Sequence, residues 1–167
     1  IVASEHASYY AYNSVYKKIK EWLYPRLKAI SVPTTMDTQI YREKGYNAYY
    51  IPHMTTFDKI VDNSLRSHRV INVGRLTKDK QQIMLLDIWK EFNKKFPQNE
   101  YLLQIIGSGE EKENIINYIE ENKIKNVELI PHTSKIEEYY REAELFVFTS
   151  KMEGFGMVLL EAMSYGI

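Results

Sequence analysis

Two glutamates stand eight positions apart in one glycine-rich segment, EGFGMVLLE, which runs from Glu153 to Glu161. Gly154, Phe155 and Gly156 follow the first glutamate, and apolar residues surround the second. An ionised carboxylate among apolar residues is costly unless something pairs with it. Glu161 therefore needs either a partner side chain, such as a lysine of a neighbouring helix, or a ligand, and the sequence leaves both explanations open.

The spacing of these carboxylates suits an extended ligand. On one continuous helix they would lie about 12 Å apart and be turned by roughly 80°. Between them, the free backbone N–H groups of a helix start attract an anion. A nucleotide diphosphosugar carries its groups in this order: ribose hydroxyls, two phosphates and sugar hydroxyls.

Cations that could neutralise a diphosphate follow the apolar run RVINV, in the segment GRLTKDK at 74–80. Arg75 offers a planar fork for phosphate oxygens, and Lys80 offers a mobile point charge. Such cations stabilise the charge that grows on a departing nucleoside diphosphate. Taken alone, the segment also fits a turn with a solvated charge cluster.

From residue 69 onward, short apolar runs alternate with amphipathic stretches, which predicts repeated β–α units. Continuously apolar runs indicate strands buried on both faces, as in parallel sheets. The sequence therefore predicts an α/β fold, a Rossmann-like parallel sheet with helices on both faces. The predicted strands are 69–74, 101–107, 127–131 and 145–150, and the predicted helices are 81–96, 110–122, 134–143 and 156–166.

The glycines of the predicted loops lie where such a sheet binds ligands, beyond the carboxyl ends of the strands. The Gly107-Ser108-Gly109 segment is a weak signal alone, because GxG ends many strands. The loop glycines are Gly74, Gly107, Gly109, Gly154 and Gly156.

In the predicted helix 134–143, Ser134 and Glu137 stand in capping-box register.

The first third of the chain is rich in tyrosine and has fewer predicted strands. It predicts a strand tail at the start, a helix over 7–27, a strand at 29–32, a helix over 38–45 and a strand at 48–52. We expect too few strands here for an independent core. The chain starts without methionine and stops after EAMSYGI, where a further strand would follow. We expect an interior piece of a longer protein, with a processed small domain as the alternative.

Composition limits the classes of function. The formal net charge is zero, which argues against a nucleic-acid partner. The absence of cysteine excludes disulfides, zinc–thiolate sites and cysteine nucleophiles. The four histidines are not at metal-ligand spacing and no Asp-x-Asp occurs, so we expect no metal. No apolar run approaches the ~20 residues of a membrane span, and we expect no signal peptide.

Four segments resemble, in order and spacing, the carboxyl-terminal domain of the retaining glycosyltransferases of family 4. They are VINVGRLTKDKQ, LLQIIGSGEE, VELIPH and FVFTSKMEGFGMVLLEAMSYG. The most specific piece is the E-x7-E motif with GFG inside it. The resemblance implies a GT-B fold, with 1–55 as the end of the amino-terminal acceptor domain, 56–68 as the linker and 69–167 as a donor-binding domain truncated at its carboxyl end.

The resemblance also implies roles for individual residues. Glu153 matches the glutamate beside the donor sugar, and Glu161 matches the glutamate that binds the ribose. Arg75 and Lys80 match the pair that holds the donor diphosphate, and His6 matches, more loosely, a histidine near the reacting sugar. The other matching donor-binding positions are Gly74, Gly107, Gly109, His132, Gly154, Phe155, Gly156, Met157 and Val158.

By this resemblance, the full-length protein transfers a hexose from a nucleotide sugar to a glycan or lipid-linked acceptor, with retention and without metal or other cofactor. UDP-hexose is the favoured donor, with guanosine and adenosine nucleotides as alternatives. The expected process is bacterial surface polysaccharide synthesis. The expected location is the cytoplasm, including peripheral association with the inner face of the membrane.

Two features separate this chain from a complete enzyme of the family. The glycine-rich amino-terminal loop is absent, and the chain stops before the closing strand and helices, so we expect no turnover from the chain alone. The alternative functions are a catalytically silent glycosyltransferase-like partner subunit, a GT-B sugar-nucleotide epimerase and a generic nucleotide-binding module.

Overall fold

A computed structural model describes residues 1–54 and 67–167. The chain divides into two compact units. The described residues of unit 1 are 1–54 and Met152–Met157, and those of unit 2 are 67–151 and Val158–Ile167. The predicted linker at 56–68 lies outside the described residues except for its last two positions, and the predicted domain bounds stay a prediction.

Unit 1 is built on a small parallel sheet. Its strands are β1 (Val2–Ser4), β2 (Ala29–Val32) and β3 (Ala48–Tyr50), which pair in that order. The helices that connect them are α1 (Ser14–Leu23) and α2 (Thr35–Glu43). Short 3-10 turns at Tyr9–Ala11 and Tyr24–Arg26 flank α1.

The continuous helix predicted over 7–27 is wrong, because the chain turns on both sides of α1. Asn13 begins the helix, since its side chain accepts a hydrogen bond from the backbone N–H of Tyr16 at 3.0 Å. Pro25, which has no N–H, lies in the turn that follows the helix.

The expectation that this part of the chain has no independent core is also wrong. Unit 1 has a buried cluster of Tyr24, Ile30, Val32, Tyr41 and Ala48.

Unit 2 contains a four-stranded sheet whose neighbouring strands are all parallel, which confirms the predicted fold class. Its strands are β4 (Arg69–Val73), β5 (Leu102–Ile106), β6 (Val127–Ile130) and β7 (Ala143–Phe146), in the order β6–β5–β4–β7. The helices are α3 (Gln82–Lys95), α4 (Lys112–Glu121), α5 (Ile136–Glu142) and α6 (Met157–Ser164).

The sheet of unit 2 is covered on both faces by apolar side chains. Val70 and Ile71 of β4 enter different clusters, because successive side chains of a strand point to opposite faces. The cluster with α3 and α4 comprises Val70, Leu76, Leu85, Leu86, Trp89, Leu103, Ile105, Ile115 and Ile124. The cluster with α5 and α6 comprises Ile71, Ile106, Tyr140, Ala143, Ala162 and Tyr165.

Two predicted features near β7 differ from the structure. The capping box of Ser134 and Glu137 is wrong, because α5 begins at Ile136 and its N-cap makes no side-chain hydrogen bond. The strand predicted at 145–150 is replaced by β7 at 143–146. Val147 still donates to the carbonyl of Ile71 in β4 at 2.9 Å. Beyond it, Thr149 and Lys151 donate to carbonyls of the loop after β4, those of Lys80 and Asp79.

The helices of the described residues are short. The longest of them, α3, has 14 residues. None is long and apolar enough to cross a membrane.

Leu86 of α3 is fully buried, with 0% of its surface exposed. We predict that Leu86→Ala lowers the free energy of unfolding by about 2–5 kcal/mol, because it leaves a cavity in the core. Ile88→Ala on the same helix, where the side chain is 51% exposed, should cost about 0.5 kcal/mol or less. Urea unfolding measures both variants, and equal losses would contradict this packing of α3.

Candidate functional site

The carboxyl ends of β4 and β7 mark the point where the strand order of unit 2 reverses. From β4 the chain proceeds to β5 and β6 on one side and then returns to place β7 on the other. In parallel α/β sheets the crevice at such a reversal is the usual ligand site. The loops that follow β4 and β7 therefore form the centre of the candidate site in unit 2.

Hydrogen bonds hold the loop after β4 against the segment after β7. The hydroxyl of Thr149 donates to the carbonyl of Lys80 at 3.0 Å. The N–H of Lys151 donates to the carbonyl of Asp79 at 2.8 Å. These bonds fix the main chain of Lys80 at the switch point, so this predicted phosphate-binding residue lies at the expected edge of the sheet.

Arg75 and Lys80 are carried by the same loop. Arg75 is exposed and Lys80 is half-buried. Between them, the pKa of Asp79 is held below its ordinary value chiefly by the hydroxyl of Thr77, which donates to its carboxylate at 2.6 Å. The positive charges of Lys80 and Arg75 lower this pKa further. Asp79 is therefore ionised at neutral pH and offsets part of the positive charge of the loop.

The loops after β4 and β5 lie against each other, and two predicted glycines make this possible. The N–H of Leu76 donates to the carbonyl of Ser108 at 3.0 Å. A Cβ on Gly109 would lie 2.3 Å from the carbonyl oxygen of Leu76, and one on Gly107 would lie 1.8 Å from that of Gly74. A Cβ on Gly74 itself would meet no atom within 4 Å. Packing alone thus explains Gly107 and Gly109 but not Gly74.

His132 lies exposed in the loop after β6. Its backbone N–H donates to the hydroxyl of Ser108 at 3.3 Å. The structure therefore joins the loops after β5 and β6 and brings His132 beside the Gly107–Gly109 segment. Their predicted role in lining the nucleotide base stays a prediction.

Glu161 lies on α6 and has a side-chain partner on α5. The hydroxyl of Tyr140 donates to its Oε2 at 2.8 Å. Burial, and then the negative charge of Glu161, raise the pKa of Tyr140, so the phenol remains a donor at neutral pH. The partner is a tyrosine and not the lysine considered from the sequence. The cost of burying this carboxylate is thus partly met inside the protein, and its predicted role in ligand binding stays a prediction.

Unit 1 gathers His6 with the glycine-flanked segment Met152–Met157. A Cβ on Gly154 would lie 2.1 Å from the carbonyl oxygen of His6, so the backbones approach as only glycine allows. The ring of His6 stacks on that of His53, with centroids 5.3 Å apart and planes at 11°. His53 in turn packs edge-on against Phe155 at 5.4 Å. His53 therefore belongs to this group, although nothing in the sequence pattern indicates a role for it.

Two buried carboxylates hold the loop that carries His6. Glu5 is 3% exposed and accepts from Nζ of Lys20 at 2.8 Å. Burial lowers the pKa of Lys20, and the hydrogen bond to Glu5 opposes that change. Asp37 is 2% exposed and accepts from the backbone N–H of Tyr9 at 2.9 Å. The sequence offered one signal for this arrangement, a glutamate directly before His6 at the end of a predicted strand tail.

The other predicted positions surround the start of α6. Gly156 has φ +75°, in the left-handed region that favours glycine, and α6 begins at the next residue. Glu153, Met157 and Val158 are half-buried. The first N–H groups of a helix have no acceptor within the helix, which is the feature on which the predicted anion site depends.

The predicted residues thus fall into two groups. Unit 1 carries His6 and Glu153 to Met157, whereas unit 2 carries Gly74, Arg75, Lys80, Gly107, Gly109, His132, Val158 and Glu161. Across 1–54 and 67–167, no three His, Asp or Glu side chains are placed to hold a metal ion.

Comparison with known proteins gives the family. Residues 55–167, more than half of the chain, match the family described as Glycosyl transferases group 1. The chain belongs to this family. Relatives named as glycosyltransferases and structural neighbours with the GT-B fold accompany the match.

The chain is similar to the amylovoran biosynthesis glycosyltransferase AmsD of Erwinia amylovora, at 31% identity over 100% of the chain and 49% of AmsD. Its fold is similar to that of pneumococcal O-GlcNAc transferase GtfA in complex with UDP and GlcNAc, with TM-score 0.84, 23% identity, and coverage of 99% of this chain and 36% of GtfA. A mutant of S. aureus TarM in complex with fondaparinux, α-GlcNAc-glycerol and UDP also has TM-score 0.84, with 20% identity over 98% of this chain and 35% of TarM. The chain spans about half the length of AmsD.

Gly109 and Gly74 lie in facing loops but differ in the room around them. We predict that Gly109→Ala lowers the free energy of unfolding by about 1–3 kcal/mol, because its Cβ would collide with main-chain atoms. Gly74→Ala should be neutral or stabilising by up to about 1 kcal/mol, since it only restricts the unfolded chain. Chemical denaturation compares the two, and a similar loss in both would contradict the described loop contact.

Proposed function

We propose that the chain is the donor-binding part of a retaining hexosyltransferase of family 4 that uses a nucleotide diphosphosugar, UDP-hexose first, without a metal ion. One observation carries the proposal. In a chain of the glycosyl transferase group 1 family, hydrogen bonds to main-chain carbonyls, from the Thr149 hydroxyl and the Lys151 N–H, fix the loop with Arg75 and Lys80 at the switch point of a parallel sheet. This is the edge of the sheet where a nucleotide is expected.

In the proposed reaction the bond between the anomeric carbon and the donor phosphate oxygen breaks, and the nucleoside diphosphate leaves. The acceptor hydroxyl attacks the anomeric carbon on the same face from which the nucleoside diphosphate leaves. The proton of this hydroxyl passes to the departing phosphate. Arg75 and Lys80 stabilise the charge that develops on the diphosphate. The side chain of Arg75 is exposed and the main chain of Lys80 is fixed, which supports this role.

The remaining roles distribute along the donor. Glu161 accepts hydrogen bonds from the ribose hydroxyls. Tyr140 donates to Oε2 of this carboxylate, so we assign the ribose to Oε1. The joined loops after β5 and β6, with Gly107 and His132, line the base. Glu153 contacts the donor sugar, and the backbone of Gly154 to Val158 the phosphates and sugar. His6 lies near the reacting sugar, a role that its contact with Gly154 within unit 1 supports.

The proposed acceptor is a glycan or a lipid-linked glycan in bacterial surface polysaccharide synthesis. The name of AmsD, an amylovoran biosynthesis glycosyltransferase, supports this choice. We propose that the full-length protein works in the cytoplasm, where nucleotide sugars are made, and that it associates peripherally with the inner face of the membrane when its acceptor is lipid-linked.

Thermal unfolding in the presence of UDP, GDP or ADP tests the donor site on the chain itself. We predict that one of the three, UDP first, at 100 times its dissociation constant, stabilises the chain by about 2.7 kcal/mol. Glu161→Gln, which keeps the shape and removes the charge, should reduce the shift at the same concentration. Glu138→Gln on the exposed side of α5 is the matched control. A folded chain that no nucleotide stabilises would refute the proposal and favour the silent-subunit alternative.

Lys78 and Lys80 belong to one 3-10 turn, so Ala at either position removes one positive charge from that turn, an exposed one at Lys78 and a half-buried one at Lys80. We predict that Lys80→Ala weakens UDP binding by about 10- to 50-fold, the loss of a charge-assisted hydrogen bond, while Lys78→Ala weakens it by about threefold or less. Calorimetric titration with UDP and with uridine, which has no phosphate, measures both. Equal losses in the two variants, or an equal loss of uridine binding, would exclude Lys80 as a diphosphate ligand.

A further inference from the structure

We infer that Tyr140 is a positioning residue that orients the Glu161 carboxylate for the ribose of the bound nucleotide. This inference rests on the proposed function, because it takes Glu161 as the acceptor for the ribose hydroxyls. The observation behind it is the hydrogen bond from the Tyr140 hydroxyl to Oε2 of Glu161 at 2.8 Å, between α5 and α6 of the same unit.

The environment of Tyr140 makes its hydroxyl a fixed donor. The residue is 0% exposed. Its ring stacks on that of Tyr165, with centroids 5.4 Å apart and planes at 14°, and the ring of Phe146 lies 6.3 Å away at 34°. A phenol held in this way cannot follow a moving carboxylate, so the carboxylate must adopt the position that the phenol dictates.

Glu161 needs such a constraint because it is only half-buried. A glutamate side chain has several rotatable bonds, and fixing them when a ligand binds costs conformational entropy. A donor that fixes Oε2 beforehand removes much of this cost from the binding step. Oε1 then keeps a defined direction and its full capacity to accept from a ribose hydroxyl.

The chemical type of the partner matters as much as its position. A lysine at the place of Tyr140 would compensate the negative charge of Glu161, whereas a phenol donates a hydrogen bond and leaves the charge intact. Burial and the charge of Glu161 raise the pKa of Tyr140, so the hydroxyl keeps its proton. Hydrogen bonds to a carboxylate acceptor are stronger than those to a neutral one, so a neutral donor beside Glu161 preserves what the ribose would use.

If Tyr140 had a structural role only, its ring would suffice to fill the core, and loss of the hydroxyl would not change nucleotide binding. Tyr140→Phe keeps the ring and its stacking and removes only the donor. Tyr139→Phe removes a hydroxyl from the neighbouring position of α5 and leaves the Glu161 contact in place. The pair separates the loss of this hydrogen bond from the loss of any tyrosine hydroxyl on the helix.

The experiment measures binding of UDP and of 2′,3′-dideoxy-UDP, which lacks both ribose hydroxyls, to the chain and to the two variants. We predict that the unsubstituted chain prefers UDP and that Tyr140→Phe weakens UDP binding by about 5- to 20-fold. Binding of the dideoxy nucleotide should change by less than about twofold, and Tyr139→Phe should leave both nucleotides within about twofold. In a Glu161→Gln background, Tyr140→Phe should have no further effect on UDP.

The outcomes separate this inference from the function beneath it. If the unsubstituted folded chain shows no preference for UDP over the dideoxy nucleotide, the ribose-binding role of Glu161 fails, and the inference fails with it. If the chain shows the preference and Tyr140→Phe retains it, Glu161 binds ribose without help from Tyr140, and only the inference is overturned. Equal weakening of both nucleotides would mean that Tyr140 acts through packing, which also overturns it.

Discussion

Hydrogen bonds to the main chain of the loop after β4 set the geometry on which the ligand edge of unit 2 depends. On one side the N–H of Leu76 donates to the carbonyl of Ser108, and on the other the carbonyl of Lys80 accepts from Thr149. Within the loop these bonds use main-chain groups, the N–H of Leu76 and the carbonyl of Lys80, so they do not depend on the charged ends of Arg75 and Lys80. The bonds that hold the loop are therefore separate from the side chains that would bind a ligand. A substitution of Arg75 or Lys80 should alter binding without moving the loop.

The fold of unit 2 could be predicted from the sequence, because strands buried on both faces appear as continuous apolar runs between amphipathic helices. The end of β7 could not. Phe148 and Thr149 are as favourable for a strand as the residues before them, but the hydrogen bond of Thr149 goes to Lys80, far away in the chain. In unit 1 the tyrosine pattern concealed the breaks at Asn13 and Pro25, although both residues are known helix boundaries.

The same distinction applies to the candidate site. Arg75 and Lys80 could be placed at the ligand edge, since any residue directly after a parallel strand lies there. The partner of Glu161 could not be found in this way, because Tyr140 is 21 residues distant and faces it only after α5 and α6 have packed. His6 and His53, whose rings stack, are still further apart in the sequence, so composition and spacing carry no signal for this contact.

The carboxylates of the chain differ in how completely the protein satisfies them, and this difference bears on their roles. Asp37 accepts from the hydroxyls of Ser8 and Thr34 and from the N–H of Tyr9. With three donors, little of its capacity remains for a ligand, so its charge serves the fold. Within the described part of the chain, the structure gives the carboxylate of Glu161 a single donor, Tyr140. One donor offsets part of the cost of burying this carboxylate, and the second oxygen can still accept from a ligand. A binding residue requires both properties.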